Sequence, residues 1–519
     1  MSAPSAAPAS PTFDADRLMA HIRVLSSDAF EGRAPGTPGD EKTIAYLTGQ
    51  LQALGLKPGN PDGTFVQKVE MVGIDGRPEL TFTARGKRVP MIWEKDYVAV
   101  TPHAVPEVTV QDSPLVFVGY GVQAPEYGWD DYKDVDVRGK TVVILINDPA
   151  VPDPKDRTQL DPAMFKGKAM TYYGRWPYKY ETAARLGAAG AIIVHETIPA
   201  SYPWPVVHKG WTGEQLYLLS PDKNVGQTPV QSWITLEQAR ALFEAAGRDF
   251  DTLHEAARRK EFRAVALDAR MSARIVNTLR TTQSHSVFAA LPGSDPVLKD
   301  EWIVYNAHWD HLGRNADATG DGIYNGARDN ASGTGGVIEL ARAFRDGPAP
   351  KRSILFGLVT AEESGTLGSQ YYVKHPLVPI KKTVAAINID ELNVWKPTRD
   401  IQVIGMGQST LEDDLARVAA RHGRHTVPDG EAEKGSYYRS DQFNYAKAGI
   451  PAIYADEGFE GLEQKNAEFD EKDYHQPSDE IKPDWDLAGA VADLQLLYEL
   501  GLEVANRPEP PQWKDGSEF

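Results

Sequence analysis

The chain has 519 residues, more than one ordinary hydrophobic core accommodates, so two or three domains are expected. A hydrophobic fraction of 41%, with 11 Trp and 21 Tyr, excludes disorder over most of the length, and a formal net charge of -18 disfavours nucleic acid and anionic membranes as partners. Cysteine is absent, which removes disulfides, thiolate ligands and a cysteine nucleophile and leaves His and carboxylates for any metal site.

No apolar run approaches the ~20 residues of a membrane helix. Residues 1–12, rich in Ala, Pro and Ser, read as a flexible leader left after removal of an export signal, which points to a periplasmic or secreted protein. The closing Gly516, Ser517, Glu518 and Phe519 read as a cloning scar in a tail covering 509–519.

From residue 13 the spacing of Leu18, Ile22 and Leu25 predicts a helix, Gly32 to Gly39 a loop, and Ile44, Leu47, Leu51 and Leu54 a second helix stopped by Gly55. Residues 113–270 have their own rhythm, with buried strands at 140–147 (KTVVILIN) and 189–194 (AGAIIV) and a helix opening at 180–186. After about residue 275 longer apolar strands, 302–307 (WIVYNA), 353–359 (SILFGLV) and 383–389 (TVAAINI), alternate with helices, one of them at 334–344. This is an α/β pattern, in which ligands gather at the carboxyl ends of strands.

The ionisable residues fall at those ends. His308, Asp310 and His311 follow the first strand, Asp329 lies in the loop ARDNASGTGG, Glu362 and Glu363 follow the second strand, and Asp390 follows the third. A lone His or Asp at such a place is usually a satisfied histidine or a helix cap. Two adjacent glutamates at the mouth of a buried strand are different, because they repel unless a cation neutralises them. A two-metal hydrolytic site needs a bridging carboxylate, two further ligands per ion and a free carboxylate to take a proton from water. With imidazole and carboxylate donors alone, zinc is the first choice, with cobalt or manganese as substitutes.

The motifs AHWDHLG, ARDNASG, TAEESG, NID and YHQPSD, in this order and with the upstream EGRAPGTPG loop, resemble the M28 family of co-catalytic zinc exopeptidases. More narrowly, the chain resembles bacterial members with an inserted protease-associated domain, related to glutamate carboxypeptidase II and the transferrin receptor. The resemblance implies an α/β fold with a mixed sheet flanked by helices and an inserted β-rich domain. The expected divisions are 13–112 and 273–508 for the peptidase domain and 113–272 for the insertion, on the strength of GKTVVILIND, TYYGRW and GAAGAIIVHE. It further implies that His308 and Asp390 hold one zinc, Glu363 and His475 the other, with Asp329 bridging through a cis Asp329–Asn330 peptide. Glu362 would be the general base, Asp310 would orient His308, and Tyr474 would help bind the carbonyl oxygen. Tyr172, Tyr173 and Arg175 of the insertion are candidate lid residues.

Carboxypeptidase relatives hold a substrate carboxylate with arginines where this chain reads GIPAIYADEG. Asp456 and Glu457 stand there instead, as candidate substrate-binding residues that attract an ammonium and favour an aminopeptidase acting on peptides. The alternatives are a carboxypeptidase or dipeptidase, a one-zinc glutaminyl cyclase, and a receptor-like binding module. The complete ligand set and Glu362 speak against the last two. Oligomeric state is not legible.

Overall fold

The computed structural model describes residues 11–519; most of the expected leader lies outside the described residues. The chain divides into two compact units. The first comprises the described residues through Glu70 together with Gln283–Gly430 and Ser436–Phe519. The second comprises Met71–Thr282 and Glu431–Gly435.

The sheet of the first unit contains the last residues of β1 (Val265–Leu291), then β2 (Trp302–His308), β3 (Ser353–Val359), β4 (Thr383–Asn388), β5 (Asp400–Ile404), β6 (His425–Pro428) and β7 (Ala452–Asp456). Their order is β6-β5-β7-β4-β2-β3-β1. β3, β2, β4 and β7 run parallel, β1 pairs antiparallel on β3, and β5 antiparallel on β7. All residues of β3 and all but one of β2 and of β4 are buried, as expected of strands covered on both faces. Helices supply the covering. Ala15–Leu25, capped by the Asp14 carboxylate on the N–H groups of Asp16 and Arg17, buries Leu18, Ile22 and Leu25. These join a core with Val337, Leu340 and Phe344 of the helix Gly333–Asp346 and with Leu494 and Leu497 of Ala488–Asn506.

The second unit is built on a mixed run of strands. Glu107–Phe117, Thr141–Leu145, Gly190–His195 and Val230–Thr235 run parallel in that order, with Tyr97–Val100 antiparallel on the last. Alternation sends Val143 and Leu145 into one core and Val142, Ile144 and Ile146 into another. This unit begins at Met71, earlier than the expected 113. The reason is strand pairing: 71–75 pairs with Glu214–Leu218, and Tyr97–Val100 with 231–234. Tyr172, Tyr173 and Arg175 fall in this unit, at the start of the helix Trp176–Arg185.

The carboxyl tail packs within the first unit. Glu518 accepts the Tyr438 hydroxyl, and the Phe519 ring packs 5.3 Å from Trp513 and 5.9 Å from Tyr437. Among the described residues, no helix is long and apolar enough to cross a membrane.

Candidate metal centre

Because β2 lies between β3 and β4 and all three are parallel, their carboxyl ends open at one edge, where the connection from β2 goes to one side and that from β3 returns to the other. His308 is the last residue of β2, and Asp390 stands two residues beyond β4. Glu362 and Glu363 occupy the turn after β3 rather than an extended segment. Asp329 comes from the loop before the helix Gly333–Asp346, and His475 from the turn after Glu463–Lys472.

The two oxygens of Asp329 face different partners. Oδ1 lies 3.4 Å from His308 Nε2, which is also 2.9 Å from Asp390 Oδ1. Oδ2 lies 3.2 Å from His475 Nε2, which is 3.0 Å from Glu363 Oε2. The five residues named as ligands are thus brought together as two pairs on either side of one carboxylate. The adjacent glutamates diverge: Glu363 turns to His475, and Glu362 Oε2 stays 4.0 Å from His308 Nε2.

Several contacts fix this arrangement. The Asp310 carboxylate accepts the backbone N–H groups of Glu362 (3.1 Å) and Glu363 (3.3 Å), so it braces the glutamate turn. His308 Nδ1 is 3.2 Å from the main-chain oxygen of Asp310 and 3.7 Å from its carboxylate, so the orienting contact expected of the Asp310 side chain is made by its carbonyl. Asp479 accepts the N–H groups of Arg328 and Asp329, each at 3.0 Å. The Asp329–Asn330 peptide is cis, as the resemblance implies. The Asn330 side chain accepts the N–H of Glu391 (3.0 Å) and donates to Ile389 O (3.1 Å), joining the Asp329 loop to the Asp390 loop. Ser440 donates its hydroxyl to Asp390 Oδ2, which leaves Oδ1 turned to His308.

Electrostatics separates the two glutamates. Burial raises Glu362 well above the ordinary carboxylate range, with Asp390, Asp441 and Glu363 adding to it against the pull of His308. Burial and Asp329 act on Glu363 in the same sense, but the imidazoles of His475 and His311 overcome them and hold it at about 2. Two neighbouring carboxyls pushed in opposite directions are suited to different tasks, one to proton transfer and one to standing as an anion.

His311 was not among the predicted ligands, although the motif HWDH displays it. It is buried, with Nδ1 2.6 Å from Glu363 Oε1 and 3.9 Å from Asp329 Oδ2. Gly326 makes room for it: a Cβ there would lie 2.6 Å from the His311 ring and 2.2 Å from Asp329 O. Asp441 was also missed; it is fully buried behind the site, accepts from Asn306 and Ser369, and is pushed up to about 7 by burial. Tyr474 is 43% exposed and stacks on His475, with 3.9 Å between ring centroids.

The acidic pair has a partner the sequence reading lacked. Glu457, 4% exposed, is ion-paired to Arg328, whose Nε also lies 2.8 Å from Glu391. The Arg328 guanidinium is held over Phe469 (4.2 Å) and Trp395 (4.8 Å). Asp456 is not in that ion pair; its Oδ1 accepts the Glu457 N–H at 2.8 Å.

The donor set fits divalent cations. Ligand atoms of His308, Asp329 and Asp390 lie within 4.8 Å of one another, as do those of His311, Asp329 and Glu363. Glu363 Oε1 and both ring nitrogens of His311 are buried without an aligned hydrogen bond. Asp329, Glu362, Glu363 and Asp390 crowd together, and cations relieve such repulsion.

The profile of peptidase family M28 matches residues 286–498, a segment holding every residue of the two ligand pairs. The chain is similar to leupeptin-inactivating enzyme 1 of Streptomyces exfoliatus, 29% identical over 35% of this chain and 38% of that protein. It is similar also to aminopeptidase YwaD of Bacillus subtilis, 32% identical over 30% of this chain and 33% of that one. The matches thus span about a third of the length of these curated relatives. In fold it resembles an aminopeptidase from Aneurinibacillus sp. strain AM-1, with 19% identity, a TM-score of 0.50, and coverage of 96% of this chain and 95% of the other. The motif residues assembled at the strand ends all lie inside the segment that matches the model of peptidase family M28.

Proposed function

We propose that this protein is a two-zinc aminopeptidase, releasing amino-terminal residues from peptides. The observation that carries the reading is the bridging attitude of Asp329, one oxygen toward His308 and Asp390 and the other toward Glu363 and His475. The relatives support it, an aminopeptidase of Bacillus subtilis among them. Zinc suits a site of imidazole and carboxylate donors without thiolate. When bound, two such ions would polarise the scissile carbonyl and lower the pKa of the attacking water.

The chain's own residues supply the remainder. Glu362, whose carboxyl burial raises above its ordinary range, accepts a proton as the water oxygen attacks the carbonyl carbon. It returns that proton to the amide nitrogen as the C–N bond breaks, so the products are a carboxylic acid and a free amine. Tyr474, exposed beside His475, would meet the carbonyl oxygen.

The acidic surroundings favour the amino end of the substrate. Arg328, a cation near the site, is already compensated by Glu391 and Glu457 and is not free to anchor a substrate carboxylate. Asp456 is the carboxylate left over to attract an ammonium. A panel of aminoacyl nitroanilides and their N-acetylated counterparts tests this reading. Free-amine substrates are expected to be cleaved about 10- to 100-fold faster in kcat/KM, the worth of one charged hydrogen bond. Asp456→Asn should raise KM for the free amines and leave the blocked substrates unchanged. Preference for blocked dipeptides with a free carboxylate would mean the carboxypeptidase reading instead.

A further inference from the structure

The EGRAPGTPG loop has no part in the chemistry above, yet it reaches the centre through one residue. Arg33 has no exposed surface. Its guanidinium donates from Nε to Trp309 O (2.8 Å), from Nη1 to Leu25 O (2.7 Å) and Asn325 O (2.6 Å), and from Nη2 to Gly326 O (2.9 Å). Its own carbonyl accepts the His311 N–H at 3.4 Å. Trp309 stands between His308 and Asp310, and Asn325 and Gly326 lead into Arg328 and Asp329. One side chain therefore grips the two segments that carry the ligands His308 and Asp329.

The loop is shaped to deliver that side chain. Glu31, Gly32 and Arg33 have φ of 52°, 67° and 50° in succession. A Cβ on Gly32 would lie 2.3 Å from Gly313 O and 2.7 Å from Tyr324 O, so only glycine permits the loop to press against the backbone that follows His308–His311 and that precedes Asn325–Asp329. Among the described residues no carboxylate pairs directly with Arg33, and a buried cation without such a partner is costly. Two things offset the cost: its four carbonyl acceptors, and the field of Asp479, Asp329, Asp310 and Glu363, which opposes the lowering by burial to about 10 and keeps the group cationic at neutral pH.

We propose that Arg33 is a positioning residue of the metal centre, whose guanidinium locks the His308–His311 turn to the Asp329 loop and thereby sets the distance between bridging carboxylate and imidazole. This rests on the two-ion reading of the site.

The test uses the full chain with Arg33→Ala and Arg33→Lys, measuring zinc affinity by competition with a chromogenic chelator and thermal unfolding of the metal-free proteins. Residues that orient metal ligands typically contribute 10- to 100-fold in affinity, and a loss of about that size is expected for Arg33→Ala, with a smaller loss for Arg33→Lys. Added guanidinium ion should restore zinc affinity to Arg33→Ala by re-forming the bridge between the two segments. If Arg33→Ala does not fold, Arg33→Lys decides by the same comparison. Wild-type zinc affinity in the variants, with only the metal-free unfolding temperature lowered, would overturn the proposal and leave Arg33 as a fold clamp. Wild-type protein that binds fewer than two ions would instead overturn the reading on which the proposal rests.

Discussion

Glu362→Gln is expected to lower turnover by about 10² to 10⁴-fold while zinc content stays at the wild-type level. The amide keeps the shape of the side chain and removes its capacity to accept a proton. Glu362 also stands apart from the second ligand pair: its Oε2 is 4.0 Å from His308 Nε2, whereas Glu363 Oε2 is 3.0 Å from His475 Nε2. Burial holds Glu362 well above the ordinary carboxylate range, and Glu363 is held at about 2 against burial by His475 and His311. Glu363→Gln should therefore behave differently, losing metal and recovering activity in part at high zinc. Metal analysis beside single-turnover kinetics separates the two variants. If Glu362→Gln lost zinc and Glu363→Gln kept it, the roles would have to be exchanged.

Asp329→Asn should have the other large effect, reducing activity to that of chelator-treated wild-type protein. A carboxylate offers oxygen lone pairs on both sides, whereas an amide offers oxygen on one side and an NH₂ on the other that cannot act as a ligand. Since Asp329 faces His308 with one oxygen and His475 with the other, a single substitution strikes both ion positions. Thermal unfolding gives an independent reading. An ion present at 100 times its Kd stabilises the native state by about 2.7 kcal/mol, so zinc should raise the unfolding temperature of wild-type protein and do so far less for Asp329→Asn. An equal zinc-dependent rise in both proteins would show that the ions bind elsewhere.

The parts of this molecule legible from sequence are those in which chemistry and local pattern coincide. The strands of WIVYNA, SILFGLV and TVAAINI appear as Trp302–His308, Ser353–Val359 and Thr383–Asn388, because a run of apolar residues buried on both faces has few other solutions. Their parallel arrangement then places His308, Glu363 and Asp390 on one edge. What escaped was non-local. Arg328 and Glu457 pair across 129 positions, so an acidic pair that looked available to substrate turns out to have Glu457 already engaged. Residues 71–112 read from sequence as part of the peptidase domain, and it is pairing with strands more than a hundred positions away that groups them with the second compact unit. His311 and Asp441 carry no periodic signal, and their significance lies in what surrounds them once the chain is folded. Arg33 is the extreme case: its motif was visible, but its acceptors are backbone carbonyls, which no side-chain pattern announces.

Two ions are expected, one on either side of Asp329. Crystals of the zinc-loaded protein, measured on both sides of the zinc absorption edge, test it most directly. Two anomalous peaks per chain are expected, one contacted by His308 and Asp390, the other by Glu363 and His475, with Asp329 touching both. A single peak, or a pair that leaves Asp329 without contact to one ion, would contradict it.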